Sequence, residues 1–223
     1  MEIKHYCIFI KVGEFQFMER LLLHGEIFCK SFKYFKSAEK GNFRHDQFEG
    51  TGYVEQIKDI RLLHPETKKA IAKAERGQLY KTYHNDSGNI YCLYGLERKM
   101  FDLTSDENKP LNLNMDGLNF GDTVIIIFDP KEFTRRVKNE VKRRKYSFQR
   151  SPVIYYDQEQ YEGELSPFYK AKIYSPQNEV RFWIPNKSEE DLCFNIGNIS
   201  DIAFLLPKSE ISNLGYSRTP IDK

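Results

Sequence analysis

The sequence predicts an α+β fold, a mostly antiparallel sheet carrying two or three helices. Three observations lead there. Short runs rich in β-branched and aromatic residues recur along the chain, turn residues separate them, and few segments combine a helical period with matching end signals. With 223 residues, 40% of them hydrophobic and 14% aromatic, the chain has the material for a substantial core. A single domain over 1–223 is expected, because no repeat, linker or low-complexity tract breaks the pattern.

Taken in order, "HYCIFIKV" suits a buried first strand. In "EFQFMERLLLHG" Phe15, Met18 and Leu22 fall on one helical face, His24 is the last helical residue and Gly25 is the stop. "EIFCKSFKYF" alternates like a strand along its whole length. "GYVEQIKDIRLL" reads as a strand or strand pair, whereas the polar "PETKKAIAKAERG" reads as a helix or a long loop. The turn residues Asn85 to Gly88, set between tyrosine-rich strands, predict a hairpin. "DTVIIIFD" is uninterrupted and apolar, the pattern of a central strand covered on both faces. The helix that follows opens on "DPKE": Asp129 is the N-cap, Pro130 the first helical residue and Glu132 completes a capping box. Its apolar stripe is Phe133, Val137 and Val141. "SPVIYYD", "FYKAKIYS" and "NEVRFWIP" are further strands, and "NISDIAFLLP" is a last one or a short apolar docking segment.

A net charge of +2 does not by itself point to nucleic acid. Positive charge is concentrated on that same helix, where Arg135, Arg136, Arg143 and Arg144 are candidates for phosphate or nucleic-acid binding. A solvated face is the simpler reading, since basic residues late in a helix also complement its dipole. Cys7, Cys29, Cys92 and Cys193 are scattered with no C-x-x-C pair, so buried, reduced thiols are expected and no metal is predicted. No apolar run approaches the roughly 20 residues of a membrane span, and the opening residues lack a signal-peptide pattern. A cytoplasmic protein with no membrane partner is the expectation.

Two polar clusters stand out. "NFRHDQFEG" sets Arg44, His45, Asp46 and Glu49 among Phe43, Phe48 and Gly50. Charges shielded by rings need partners, because burying them unpaired is costly. "QNEVR" supplies candidates: strand alternation would put Gln177, Glu179 and Arg181 on one face. Arg44, Asp46 and Glu49 are therefore expected to build one polar pocket with Glu179 and Arg181.

The succession "GEIFCKSFKYFKSAEKGNFRHDQFEG", "NIYCLYGL", "FGDTVIIIFDPKEF", "VIYYD" and "FYKAKIYSPQNEVRF" resembles an uncharacterised family of bacterial and phage proteins, often encoded near phage-defence genes. His45 stands where that family has glycine, and Gln177 where it has an acidic residue. Gln177-x-Glu179 is also similar to the Gln-x-Glu or Glu-x-Glu pair of ADP-ribosyltransferases. That likeness implies a transferase-like fold, NAD as substrate, Glu179 and Gln177 as catalytic residues and His5 as the early-strand residue near the cofactor, although Tyr6 replaces the small residue often found beside it. A carboxylate suits such chemistry because positive charge develops on the ribose as nicotinamide departs. Two other readings stay open. Asp46, Glu49 and Glu179 are hard ligands of the kind that hold Mg²⁺ in a nuclease or phosphodiesterase, with Arg181 able to orient phosphate but not to act as a base. A non-enzymatic module that binds a nucleotide or a protein needs only the pocket.

Overall fold

A computed structural model of the chain describes residues 5–37, 48–82, 87–102, 104, 107–187 and 190–217. The chain runs through β1 (Tyr6–Gly13), α1 (Phe15–His24), β2 (Glu26–Ser31), α2 (Phe32–Ser37), β3 (Tyr53–Leu63), β4 (Ala70–Lys81) and β5 (Gly88–Glu97). It continues through β6 (Lys109–Pro110), β7 (Thr123–Ile127), α3 (Pro130–Arg143), β8 (Gln149–Pro152), β9 (Ile154–Tyr156), β10 (Gly163–Glu164) and β11 (Tyr169–Ala171). Last come β12 (Glu179–Pro185), β13 (Leu192–Asn195), β14 (Ala203–Pro207) and β15 (Gly215–Tyr216).

Eight strands form the main sheet, in the order β13-β2-β5-β1-β7-β14, with β12 paired to β5 and β8 to β12. Its pairings are antiparallel. The apolar run in β7 lies between β1 and β14 with all five residues buried, which is the environment its pattern calls for. One face of the sheet carries Phe9, Tyr91, Ile125, Val180 and Phe182 and is covered by α1 and α3 through Met18, Leu21, Phe133, Val137 and Val141. On the other face Ile10, Tyr94, Leu96, Val124 and Ile126 pack under Leu118, Leu206 and Ile211.

The sheet forks at β5. Along one edge β12 pairs continuously from Tyr94 to Gly88. β1 and β2 must therefore share the opposite edge. β1 holds it from Glu97 to Tyr94 and then leaves to follow β7. β2 holds only Ile90 and Asn89, having come from its pairing with β13. Helix α1 connects the two diverging strands, and its exit is fixed by Gly25 at φ 61°, where a Cβ would run into the Gly197 carbonyl. Between Ile90 and Tyr94 no described strand covers this edge of β5. The Cys92 carbonyl instead accepts a hydrogen bond from Lys11 Nζ at 2.7 Å.

Other pairings make smaller sheets: β10-β3-β4, the parallel pair β9 and β11, and β6 with β15. β3 and β4 form a long ribbon rooted in a minor core of Val54, Tyr156 and Leu165. Gln56 Nε2 anchors the root by donating to the Gln158 and Tyr161 carbonyls at 3.0 and 2.8 Å.

Several sequence expectations need correction. "PETKKAIAKAERG" is neither helix nor long loop but the tip and outgoing strand of this ribbon. Residues Ala70 to Arg76 are all exposed there, so no apolar stripe was needed to hold them. The expected hairpin around Asn85 to Gly88 does not form, because β4 pairs with β3 while β5 belongs to the main sheet; residues 83–86 of that turn lie outside the described residues. The strand begun in "EIFCKSFKYF" ends at Ser31 and gives way to α2. On α1 the buried residues are Met18 and Leu21, while Phe15 is exposed. All four cysteines are free, as expected, but only Cys29 is fully buried and Cys193 is exposed.

Candidate functional site

The late strand β12 lies beside β5 with Glu179 opposite Tyr94 and Arg181 opposite Cys92, so both side chains point to the face away from α1 and α3. Arg181 is 1% exposed. It makes four hydrogen bonds: two to the Glu49 carboxylate at 2.7 and 2.8 Å, one to Glu179 Oε2 at 2.8 Å and one to the Pro167 carbonyl at 2.7 Å. The bidentate grip on Glu49 uses the planar fork that only arginine offers. Lys170, on β11, extends the row by donating from Nζ to Glu179 Oε1 at 2.8 Å and to Gln177 Oε1 at 2.6 Å. The result is an alternating line Glu49–Arg181–Glu179–Lys170, buried throughout and closed by the Gln177 amide. The Tyr155 hydroxyl accepts from the Glu179 amide at 2.9 Å.

Burial alone would raise the Glu179 carboxyl, but the charges of Lys170 and Arg181 and their hydrogen bonds outweigh it and hold the group at about 2. Burial would lower Arg181, yet Glu49 and Glu179 carry it well above its ordinary value. Both members stay ionised at neutral pH. The Cys92 thiol is pushed up to about 11 by burial and then by Glu179, so it is not a nucleophile near pH 7.

Glu49 and Arg181 are thus brought together as the sequence suggested, with Glu179 between Arg181 and Lys170. Arg44, His45 and Asp46 lie outside the described residues. Gln177 joins by another route than strand alternation. It ends a 3-10 turn over Lys172–Gln177, Asn178 follows in a left-handed conformation at φ 38°, and the strand begins only at Glu179. His5 precedes β1, exposed, and its carbonyl accepts from the Arg98 amide at 2.9 Å beyond the far end of the β1–β5 ladder. It is not part of the charged row. Arg135, Arg136, Arg143 and Arg144 each bind a carboxylate: Glu132 holds Arg135 and Arg136, Glu140 holds Arg143 and Arg144, and Asp201 takes Arg136 as well. Glu132 is spent on those arginines, while Asp129 caps the helix by accepting from the Lys131 and Glu132 amides.

Lys170 was missed by sequence reasoning. Its signal was present in "FYKAKIY", a lysine inside an aromatic run, which must either snorkel or find a carboxylate.

A cavity of about 620 Å³ adjoins the row and reaches through the fork of the sheet. Gln177, Glu179, Arg181 and Lys170 line it together with Tyr91, Met18, Leu21, Lys11, Lys30, Phe28 and Tyr34. Lys30 reaches Asp191 at 2.8 Å and lies 4.0 Å from the centre of the Tyr34 ring. Lys11 lies 4.5 Å from the centre of the Tyr91 ring. Tyr91 is 4% exposed, and its hydroxyl finds no hydrogen-bond partner among the described residues. A buried phenol without a partner is uncommon and marks a place where another polar group is wanted. A wider hollow of about 1050 Å³, lined by Phe15, Met115, Leu205 and Leu206, brings only Asp122 and Lys208 as charged residues and no comparable cluster. Among the described residues no group of three or more histidine, cysteine, aspartate or glutamate side chains is placed to hold a metal ion, and no helix is long and apolar enough to cross a membrane.

Compared with known proteins, the chain matches no family model, no curated protein and no solved structure.

Proposed function

We propose that the fork cavity binds a small anionic molecule carrying an aromatic ring, of nucleotide type, and that the chain acts as a binding module for it. The observation that carries this reading is the unpartnered Tyr91 hydroxyl in a cavity that also has lysine ammoniums and aromatic rings in its walls. Lys11, which donates to the Cys92 carbonyl, supplies positive charge for phosphate or carboxylate, while Phe28 and Tyr34 offer faces for a ring. Titration calorimetry with ADP, ATP and NAD tests it. Binding of any of the three should weaken about tenfold on Tyr91→Phe, because the ligand group would lose its one buried phenol partner. Equal affinity in both proteins, or no binding of any of them, would overturn the proposal.

A second reading keeps the ADP-ribosyltransferase likeness, with the same cavity taking NAD and Glu179 facing the ribose. Glu179 lines the cavity and is held ionised, which is the charge state that reading requires. Against it, the carboxylate is already matched by Lys170 and Arg181, so little of its field is left for a developing cation. Nicotinamide release from NAD that disappears in Glu179→Gln would reverse this preference. The phosphodiesterase reading is the weakest of the three, since Arg181 stands between Glu49 and Glu179 where a shared Mg²⁺ would have to sit.

A further inference from the structure

The ribbon of β3 and β4 departs from ordinary sheet design. From Lys58 to Leu63 and from Ala70 to Arg76 every residue is exposed. Among the described residues no strand pairs with either edge of this outer part, since β10 reaches only Tyr53 and Val54 on β3 and β4 ends its sheet. A two-stranded ribbon standing alone is marginal in water, so each cross-strand pair matters. Yet Lys58 lies directly opposite Arg76, and Arg61 directly opposite Lys73. Like charges so placed weaken a ribbon. Between Ile57 and Gly77 there are six lysines and arginines against three acidic residues. Lys73 takes Asp59 at 3.0 Å, but Lys58, Arg61, Lys68, Lys69 and Arg76 make no ion pair with a described residue. Exposed Ile60, Leu62, Leu63 and Ile71 interrupt these charges towards the tip.

We propose that this ribbon is an arm that enters a groove of duplex nucleic acid. The excess of positive charge and the facing cations call for an anionic partner, and they would make a second copy of the ribbon repel the first. A two-stranded ribbon has the dimensions that the major groove admits, and its aliphatic side chains can meet thymine methyls or wedge at base steps. Helix α3, the other basic element, is the poorer surface because Glu132, Glu140 and Asp201 already hold its arginines.

The test is fluorescence polarisation of a labelled mixed-sequence DNA duplex titrated with the whole chain at several salt concentrations. The wild type should bind, with affinity falling steeply as salt rises. Arg61→Glu combined with Lys68→Glu and Lys69→Glu should weaken binding by at least about tenfold and flatten the salt slope by about three. Arg143→Ala with Arg144→Ala should leave it within about twofold, since those side chains lie outside the arm. Lys58→Glu separates binding from folding: it turns a like pair into an opposite one, so the thermal midpoint should rise while duplex affinity falls. Absence of binding at low salt, or equal affinity in the triple variant, would overturn the proposal. So would a ribbon-dependent dimer in sedimentation velocity without duplex binding, which would mark the arm as a contact between copies. Displacement of the duplex by polyglutamate at equal charge concentration would also overturn it, in favour of an acidic polypeptide partner.

Discussion

Under β12, Arg181 has a carboxylate on each side within 2.8 Å, whereas on the ribbon Lys58 faces Arg76 across the strand pair and neither makes an ion pair with a described residue. The two regions use the same residue types and differ in water. At 1% exposure an unmatched guanidinium would forfeit its hydration, so the buried row is balanced charge by charge. On the exposed ribbon solvent screens the repulsion, and the imbalance is tolerated at small cost. Placement therefore carries different information in the two places. A balanced buried row speaks of architecture, and an unbalanced exposed one speaks of a partner.

The sharpest way to break this contrast is Arg181→Met. It leaves Glu49 and Glu179 buried without their shared cation and should cost about 3–5 kcal/mol in urea unfolding. A loss under about 1 kcal/mol would mean that the row is dispensable. Acid separates the regions next. Glu179 is held at about 2 in the folded chain against an ordinary 4.5, so its contribution is present above pH 4.5 and is lost as the pH falls towards 2. The unfolding free energy from urea titrations should fall over that window by on the order of 3 kcal/mol in the wild type, and by less in Glu179→Gln. Tyr91→Phe should then raise the stability of the ligand-free chain by about 1 kcal/mol, by removing a buried hydroxyl that has no partner. The smallest change is expected on the ribbon, where Lys58→Glu should stabilise by about 0.2–1 kcal/mol, read as a rise in thermal midpoint.

What the sequence made legible follows the same division. Helix α3 could be read because its N-cap, its proline and its apolar stripe agree, and β7 because a run of five buried residues leaves no other choice. Glu49 and Arg181 could be assigned to one polar pocket, though not to each other, because charges flanked by aromatic and apolar residues need partners. β4 could not be read, since an exposed strand has no core face to impose a period of two. Gln177 was placed on the right side for the wrong reason, as the left-handed turn at Asn178 breaks the alternation just before the strand begins. The fork in the sheet was out of reach altogether: it depends on where β1 leaves β5, and no local pattern records which partner a strand keeps.

The Glu49–Arg181 contact also bears on how the chain assembles. It joins residues 132 positions apart, and the Gly52 carbonyl at the ribbon root accepts from the Leu165 amide across a similar span. During synthesis the first half of the protein emerges well before the arginine that neutralises Glu49 and the leucine that seals the minor core. Contacts of such separation must pay their loop-closure entropy before they return any stability, which slows folding and favours a late, concerted closure. A chain stopped ahead of β10 would lack both Arg181 and Leu165, leaving the apolar root open, so nascent protein at that stage is the form most in need of protection from aggregation.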